Sequence, residues 1–345
     1  MTQSTLLVDQ FGAFVGKHSE RLQVKQKGQI VAEAPVMFLE QVLLTGKGVS
    51  MSADAIALCA GHGIPVHYLS GWGQPYAALY SAGLGGTVLT RRAQYLAYED
   101  VRGVALAAAF AGGKIENQGR LLKYMAKSRK EKAPEVFAAL RQAAQQVAAH
   151  LGEITVWRAG EAPLGHAARR EQLLSIEGRA AQHYWDGLDR IIPEALAWPG
   201  RKGRGARDPF NAALNYGYGV LYGQVERAII LAGLDPYAGF IHTDRPGKPS
   251  LVLDLIEEFR APVVDRSVLA IVGQGIALDQ DKQGMLTQSI RRTLAERVLE
   301  RLEDGSEKYE DKRQKLRWIL QSQARHLAAY LRGEREKYAA FKMGW

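Results

Sequence analysis

Two separated segments carry the residue types that metal-dependent chemistry needs. In the first, "EQLLSIEGRAAQHYWDGL", helical spacing places Glu177 in the middle of an apolar stripe. The stripe consists of Leu173, Ala180, Ala181, Tyr184 and Leu188. A carboxylate on such a face is expected to be buried, and a buried charge is costly without a partner. Glu177 is therefore predicted to be protonated, paired with a base such as one of the many arginines, or bound to a metal.

The second segment, "GFIHTDRPGKPSLVLDLIEEFR", sets His242 in a loop and begins a helix at its Pro-Ser pair. Asp254 and Glu257 are three residues apart, so both point from the same face. Periodicity alone favours an amphipathic helix with a solvated acidic face, on which Glu258 is also solvated. A lone histidine in such a loop is usually a satisfied turn residue.

The two segments together indicate more than either does alone. One imidazole and two or three carboxylates form a ligand set suited to Mg²⁺ or Mn²⁺ rather than to structural zinc. Cys59 is the single cysteine and lies in an apolar run, so it is expected to be a buried thiol, and a thiolate-rich site is excluded. Hard divalent metals suit phosphodiester chemistry, because they hold phosphate oxygens and neutralise developing charge.

The whole chain indicates a soluble, globular protein. Its 345 residues are 47% hydrophobic, which is enough for one large domain or two ordinary ones. The N-terminus lacks a basic leader, and no apolar run reaches the roughly 20 residues of a membrane helix, so a cytoplasmic location is expected. Neither a P-loop nor a dinucleotide fingerprint is present.

The net charge of +9 is unevenly placed. Up to Thr90, five basic residues balance five acidic ones, so the remaining 40 basic and 31 acidic residues carry the excess. This distribution favours a polyanionic partner such as nucleic acid, although solubility alone would also account for it.

Clusters of basic residues suggest where a nucleic acid would bind. The Gly-rich loop "GRKGRGARDP" can mould to a phosphate backbone. It carries Arg201, Lys202, Arg204 and Arg207. Further clusters contain Arg91, Arg92, Lys127, Arg129, Lys130 and Lys132. Each cluster could equally be a solvated surface. Tyr216 and Tyr218 could stack on bases, but aromatic residues at this spacing are more often packed in the protein.

The pattern of elements predicts an α+β fold. Short apolar or alternating runs separated by Gly, Pro and Lys turns fill the first eighty residues, with one helix capped by Ser52. From about Thr90 the chain is rich in Ala, Leu, Gln and Lys at helical spacing. We predict a β-rich domain over residues 1–85 and an all-α domain over residues 86–345.

An ordered series of motifs resembles a known family. The motifs are "LLSIEGRAAQHYW", "DPFNAALNYGYGVLY", "GFIHTDRPGKPSLVLDLIEEFRAPVVD" and "YLRGEREKYAAFKMGW". In this order, behind a short β-domain, they resemble the CRISPR-associated endonuclease and integrase of spacer acquisition, the first of the numbered Cas proteins. The resemblance spans nearly the whole chain.

The resemblance implies a metal site in the α-helical domain. The Glu of the "IEG" motif corresponds to Glu177 and the His of "GFIHT" to His242. The third ligand falls in "DLIEE", where Glu257 is the prediction and Asp254 is an auxiliary ligand or a supporting group. Asn211, Asn215 and Tyr216 lie in a family motif without an assigned role. Lys248 is a candidate phosphate contact near the metal.

The resemblance also implies a reaction and partners. The 3′-hydroxyl of a short double-stranded DNA fragment would attack a phosphodiester at the boundary of a CRISPR repeat, with Mg²⁺ or Mn²⁺ stabilising the transition state. The β-domain would form a homodimer, and the second numbered Cas protein would bridge two dimers. Two alternatives remain open: a structure-selective nuclease acting on branched DNA in repair, and a basic DNA-binding scaffold without catalysis.

Overall fold

The fold is a strand-rich N-terminal region followed by a mostly helical remainder. The computed structural model describes residues 4–81, 88–160, 167–203, 205–242 and 245–344. The predicted domain boundary between residues 85 and 86 therefore lies outside the described residues. Among the described residues, one hydrophobic core is built from N-terminal strands and the helix that follows Ser52. A second core is built mainly from the later helices and also takes in Leu43 and Leu69 of the N-terminal strands, so the predicted domain bounds stay a prediction.

In the described part of the N-terminal region, between residues 4 and 81, there are eight strands and one α-helix. The strands are β1 (Thr5–Val8), β2 (Phe14–His18), β3 (Arg21–Gln26), β4 (Gln29–Pro35), β5 (Gln41–Leu44), β6 (Ser50–Met51), β7 (Val66–Leu69) and β8 (Pro75–Leu79). One sheet has the order β1-β5-β7-β8, in which the first three strands are parallel and β8 is antiparallel. The other has the order β4-β3-β2-β6. A 3₁₀ turn, Val36–Phe38, leads from one sheet to the other.

Helix α1 (Ala53–Gly61) interrupts the strands where the sequence predicts a helix, and it packs against β2. The hydroxyl of Ser52 accepts a hydrogen bond from the backbone N–H of Ala55, which satisfies one of the unpaired donors at the helix start. Cys59 is buried on this helix, and burial raises the pKa of its thiol to about 11. The thiol is therefore a packed, unreactive group, as predicted.

Eleven α-helices are described in all, and ten of them follow the sheets. They are α2 (Val88–Ala97), α3 (Val101–Lys127), α4 (Pro134–Ala159), α5 (Ala167–Asp189), α6 (Pro209–Leu231), α7 (Ser250–Leu255), α8 (Glu257–Phe259), α9 (Arg266–Gly273), α10 (Gln288–Asp304) and α11 (Leu316–Leu331), with a 3₁₀ turn at Glu194–Leu196. Helices α3, α4 and α5 pack side by side, and α6 lies against α10 and α11. Among the described residues, no helix has the length and apolarity to cross a membrane.

The prediction of an all-α second domain is wrong in one detail. Strands β9 (Ser306–Tyr309) and β10 (Lys312–Lys315) form an antiparallel hairpin between α10 and α11. Its two-residue turn places Glu310 and Asp311 at positive φ, the conformation that tight hairpins require. No glycine or asparagine marks this turn, so the sequence carries little signal for it.

The N-terminal region contacts the helices through a loop and a buried polar cluster. The backbone of Gly73 passes so close to α6 that a Cβ added at Gly219 would lie 1.5 Å from the Gly73 carbonyl oxygen. Beside this contact, His67 on β7 lies with its Nδ1 3.6 Å from Oε2 of Glu226 on α6. The same Glu226 oxygen accepts a hydrogen bond from the hydroxyl of Tyr80 at 2.8 Å. The two regions therefore meet at a fixed, partly polar interface.

Candidate metal centre

Helix α5 places Glu177 where its sequence stripe predicts. Leu173, Ala180, Tyr184 and Leu188 are fully buried, and Glu177 between them is 8% exposed. Ala181, the remaining member of the predicted stripe, is half-buried. The stripe packs against α3 and α4. The carboxylate of Glu177 therefore points into the protein and needs a partner there.

The helix that was predicted to carry a solvated acidic face is instead buried. Asp254, Glu257 and Glu258 are 0%, 2% and 0% exposed, so the prediction of solvated side chains is wrong, for Glu258 in particular. The helix is interrupted after Leu255 and after Phe259 and continues as a π-helical segment, Arg260–Asp265. Because of these interruptions, the side chains do not point in the directions that one regular helix would give them. Helices α3 and α6 pack against the segment, so its acidic side chains are covered.

Asp254 shapes the loop that carries His242. Its two carboxylate oxygens accept the backbone N–H groups of Phe240, Ile241 and His242 at 2.5–3.1 Å. Oδ1 also lies 2.7 Å from Nδ1 of the His242 ring. Gly239 is required here because a Cβ would lie 2.8 Å from the Asp254 carboxylate and 2.7 Å from Ser250. Asp254 thus orients the imidazole and leaves Nε2 as the nitrogen that can bind a ligand.

Lys114 on α3 joins the two glutamates. Its Nζ donates a hydrogen bond to Oε1 of Glu177 and lies 3.0 Å from Oε2 of Glu257. The other oxygen of Glu257 is paired with Arg260 at 2.8 Å. The basic partner that the sequence suggested for Glu177 is therefore a lysine rather than an arginine.

The charges in this cluster shift one another's pKa values. Burial lowers the pKa of Lys114, but the nearby Glu177 and Glu257 carboxylates more than offset it and raise that pKa overall. Burial raises the pKa of Glu257, whereas Arg260, Lys114 and His242 outweigh that effect and lower it. For His242, burial lowers the pKa, but Asp254, Glu257 and Glu177 raise it overall. His242 therefore lies within electrostatic reach of both glutamates.

The donor set fits a hard divalent cation. Oε2 of Glu177 is buried and has no hydrogen-bond partner among the described residues. It is therefore an unsatisfied acceptor that a cation could bind. With Glu257 and Nε2 of His242 it supplies the oxygen and imidazole donors that Mg²⁺ or Mn²⁺ accepts. Within the described ranges, no three His, Cys, Asp or Glu side chains lie together as a ready metal cage. Lys114 holds Glu177 and Glu257, so ligation requires its ammonium to move aside, and the ligand assignment stays a prediction.

Glu258 faces away from this cluster. Its carboxylate accepts hydrogen bonds from the Tyr338 hydroxyl, the Gln323 amide and the backbone N–H of Phe341. Burial nevertheless raises its pKa to about 7, and the three donors lower it only in part. Glu258 therefore has its own set of partners and does not contribute to the candidate metal site.

The basic loop lies beside the site, but its cations differ in placement. Arg201 is held by Oδ1 of Asn211 at 3.1 Å and by Oδ1 of Asn215 at 2.8 Å, and its guanidinium lies over the Tyr218 ring. Lys202 and Arg207 are exposed, and Arg204 lies outside the described residues. The two asparagines thus acquire a role, because they fix the loop at the start of α6.

Two cavities connect the loop with the acidic cluster. A cavity of about 660 Å³ is lined by the 71–75 loop, by Arg201, Arg207 and Arg260, and by Tyr218. A smaller one of about 160 Å³ reaches Lys114 and Glu257 and shares Arg201, Tyr218 and Arg260. Tyr216 is 1% exposed and cannot stack on a base, whereas Tyr218 lines both cavities.

Lys248 stands just before α7, apart from the two cavities of the acidic cluster. It lines a separate surface cavity with Tyr95, Tyr237 and Arg245 and does not line either cavity of the acidic cluster. The contact of Lys248 with a phosphate near the metal therefore stays a prediction.

Sequence reasoning missed Lys114 and Arg260. Lys114 stands in the glycine- and alanine-rich run "AAAFAGGKIENQG", where a single cation among small and apolar residues is a signal of the same kind as Glu177. Arg260 is three residues after Glu257, the spacing of a helical ion pair.

The fold and the site define a class of protein: a strand-rich domain joined to a helical domain that buries a carboxylate–histidine cluster beside a basic loop. A family model described as CRISPR associated protein Cas1 matches residues 6–300. The chain belongs to the Cas1 family.

Curated relatives match over the full length of the chain. The CRISPR-associated endonuclease Cas1 1 of Archaeoglobus fulgidus is 41% identical over 351 residues, covering 99% of each chain. A relative of the same name from Francisella tularensis subsp. novicida is 31% identical over 344 residues, again covering 99% of each.

Solved structures share the fold at lower identity. A casposase bound to integration product superposes with a TM-score of 0.81 at 21% identity, covering 98% of this chain and 93% of that one. A Cas1 protein from Thermotoga maritima gives 0.75 at 18% identity, covering 99% of this chain and 100% of the other. The arrangement of a strand-rich region and a helical remainder is thus a fold that these proteins have in common.

Proposed function

We propose that this protein is a divalent-metal-dependent DNA endonuclease and integrase, which inserts short DNA fragments into a CRISPR array by transesterification. The observation that carries the proposal is the cluster of the buried Glu177 and Glu257 with the half-buried His242, in which Oε2 of each glutamate has no hydrogen-bond partner among the described residues. Family membership supports the activity, because the curated relatives are named CRISPR-associated endonucleases.

The residues around the cluster have separable roles in this proposal. Glu177, Glu257 and Nε2 of His242 would hold Mg²⁺ or Mn²⁺, which when bound supplies charge neutralisation for the phosphodiester exchange. Asp254 holds the His242 ring through Nδ1, which keeps the imidazole in the tautomer that exposes Nε2. Arg260, paired with Glu257 and open to the larger cavity, is placed to bind a phosphate oxygen.

The cavity beside the cluster would receive the DNA. Arg201, Arg207 and Arg260 line it, and Lys202 is exposed on the same loop. A Cas1–DNA complex and a Cas6-RT-Cas1–Cas2 complex are among the solved structures that share this fold. We propose double-stranded DNA and the second numbered Cas protein as partners of this chain.

The N-terminal region offers a surface for the proposed homodimer. Phe14 on β2 and Ile30 on β4 both pair with Lys25 on the strand between them, so their side chains share one face of the sheet. Both are exposed, at 42% and 54%. Apolar side chains on an exposed sheet face and its edge strand favour association with a second copy.

A strand-transfer assay tests the proposal. The protein is incubated with Mn²⁺ and either a short fragment plus a repeat-containing duplex or a branched duplex alone. Joined fragment–repeat product is expected, whereas cleavage of the branched duplex without joining would favour a repair nuclease.

Matched variants separate catalysis from DNA binding. Glu177→Gln is expected to lower strand transfer at least 100-fold while DNA affinity in EDTA changes less than twofold. Glu171→Gln, an exposed glutamate on the same helix, is the control and should behave as wild type. Absence of strand transfer in all three proteins, with DNA binding retained, would point to a scaffold, and equal transfer in all three would mean that the active site lies elsewhere.

A further inference from the structure

The C-terminal strap, which we define as residues 332–344, runs behind the candidate metal site. It follows α11 without regular secondary structure, yet Phe341 and Met343 are 1% and 0% exposed. The Phe341 ring stacks on that of Phe259 with 5.3 Å between the centroids. Tyr338 packs edge-on against Phe110 of α3 at 5.5 Å. The strap is thus part of the core and not a loose tail.

The polar contacts of the strap concentrate on Glu258, the residue next to Glu257. The backbone N–H of Phe341 donates to Oε2 of Glu258 at 2.8 Å, and the Tyr338 hydroxyl donates to Oε1. Gln323 donates to the same Oε2 at 2.6 Å and also to the Ala339 carbonyl at 3.1 Å. The side chain of Glu258 is therefore fixed from two sides by the strap and from a third by α11.

Asn117 on α3 ties the strap to the backbone at Glu258. Its Nδ2 donates to the carbonyls of Glu258 and Phe341, both at 2.8 Å, and its Oδ1 accepts the Met343 N–H at 2.8 Å. Pro262 explains why the Glu258 carbonyl needs this donor, since proline has no N–H to offer to the carbonyl four residues before it. One buried amide thereby links α3, the interrupted helix and the strap.

The two adjacent glutamates point to opposite partners. Glu257 faces Lys114 and Arg260, whereas Glu258 faces the strap. Because α8 has only three residues and the helix is interrupted on both sides of it, its own backbone hydrogen bonds hold it weakly. The orientation of the Glu257 side chain therefore depends on what fixes its neighbour.

We infer that the C-terminal strap, through Glu258 and Asn117, is the positioning element that sets Glu257 in the metal site. This inference rests on the proposed function, in which Glu257 is a metal ligand. Glu258 and Asn117 are positioning residues and touch neither metal nor DNA. Loss of a hydrogen-bond partner of a metal ligand typically lowers metal affinity by about 10–100-fold, and we expect an effect at the lower end of this range from groups that fix the adjacent residue.

A pair of neighbouring glycines on α3 provides a matched test in the full-length protein. A Cβ at Gly113 would lie 2.6 Å from Cβ of Ala340 and 3.4 Å from Cγ of Glu258, whereas a Cβ at Gly112 meets nothing within 4 Å. Both substitutions to alanine carry the same gain in helix propensity. The difference between the two variants therefore measures the effect of the steric contact that the added Cβ makes with the strap and with Glu258.

Mn²⁺ affinity, followed by electron paramagnetic resonance of the free ion, is the main readout. Gly113→Ala is expected to bind Mn²⁺ at least tenfold more weakly than wild type, with faster hydrogen exchange at the Phe341 and Met343 amides and unchanged DNA affinity in EDTA. Gly112→Ala is expected to match wild type in all three. Equal Mn²⁺ affinity of the two variants, with the Gly113→Ala strap amides exchanging faster, would overturn the inference.

Glu258 itself supplies the second test. Glu258→Gln keeps the shape and can still accept from Gln323 and Phe341 while donating to the Tyr338 oxygen, so Mn²⁺ affinity within threefold of wild type is expected. Glu258→Ala removes all three contacts and should lose at least tenfold. A loss as large in Glu258→Gln as in Glu258→Ala would contradict a positioning role and make Glu258 a ligand.

The outcomes also separate this inference from the proposed function. Wild-type protein that binds Mn²⁺ in a strap-dependent way but transfers no strand would refute the integrase activity and leave the inference standing. Wild-type protein that transfers the strand, but whose Mn²⁺ affinity does not depend on the strap, would overturn the inference and leave the integrase activity standing. Absence of Mn²⁺ binding by the wild-type protein would overturn both.

Discussion

At the scale of single residues, Lys114 is the group that makes the acidic cluster stable without a metal. Its ammonium lies between Glu177 and Glu257, whose carboxylates would otherwise be buried close together with too little positive charge. Arg260 neutralises only one of the two. Lys114 and a divalent cation therefore satisfy the same need, and the two compete for the same oxygens.

Removing that ammonium should make folding depend on metal. We expect Lys114→Met to lower the free energy of unfolding by about 3–5 kcal/mol in EDTA, because a buried ion pair broken on one side leaves uncompensated charge. Saturating Mn²⁺ should restore most of that loss. Urea unfolding with and without the metal measures both quantities.

The control substitution lies on the same helix. Lys127→Met removes an exposed lysine from the last turn of α3, and its effect should stay within about 1 kcal/mol with or without Mn²⁺. A Lys114→Met protein that loses no more stability than this control would show that the two carboxylates do not need a cation between them.

The burial of a residue can be predicted from the sequence only where the residues around it are its near neighbours in the chain. Glu177 could be predicted to be buried because its neighbours on one helix form an unbroken apolar stripe. Glu258 could not, because its partners Gln323, Tyr338 and Phe341 are 65 to 83 residues away in the chain. The pairing of Lys114 with Glu177 likewise could not be predicted, because the two residues are 63 positions apart and meet only where α3 packs against α5.

At the scale of elements, the interrupted helix is what turns the acidic segment inward. Sequence periodicity treats residues 250–259 as one regular helix, which leaves the acids on a wet face. The structure divides them between α7 and α8 and follows them with a π-helical segment that contains Pro262. The start of α7 at Ser250 could be predicted from the Pro-Ser pair, but the π-helical segment could not, since proline alone does not distinguish a kink from a helix end.

The contact between β7 and α6 predicts a pH dependence of stability. Burial, followed by the charge of Arg227, lowers the pKa of His67 to about 4, and its Nε2 has no hydrogen-bond partner among the described residues. Glu226 faces the ring, but burial raises the pKa of that carboxyl, so its opposing charge is reduced in acid. Tyr80 packs edge-on against the ring and carries no charge near neutral pH.

The sign of the effect follows from the lowered pKa. Below the ordinary histidine pKa of about 6.5 the unfolded chain takes up a proton that the folded protein refuses, so stability falls as the pH drops from 6.5 towards 4. Between pH 7 and pH 5 the wild type should lose about 2 kcal/mol more than His67→Phe, which keeps a ring at this position. Parallel urea-unfolding profiles for the two proteins over this range would refute the assignment.

At the scale of the whole molecule, charge and apolar surface are segregated. The excess of basic residues lies after Thr90, and the cavity beside the acidic cluster is lined by arginines from that part. The N-terminal sheet instead exposes Phe14 and Ile30 on one face. This division is consistent with the proposed self-association through the N-terminal sheet and the proposed binding of DNA by the later part of the chain. Both the charge distribution and the strand content could be predicted from the sequence.

The proposed self-association can be broken by one charge. We expect Ile30→Asp to weaken dimerisation at least tenfold in mass photometry, because burying a carboxylate in an apolar contact costs several kcal/mol. Val156→Asp places the same charge at a 76% exposed valine on α4 and serves as the control. If both variants dimerise like the wild type, this sheet face is not the interface.

Glu177, His242 and Glu257 together are proposed to form a divalent metal site. Anomalous diffraction from crystals soaked with Mn²⁺ tests it most directly, because the ion is located without reference to activity. We predict one strong peak in contact with carboxylate oxygens of Glu177 and Glu257 and with Nε2 of His242, and a Lys114 ammonium that has moved away from Glu177. A peak at any other group of residues, or none at saturating Mn²⁺, would show that these three residues do not bind the metal.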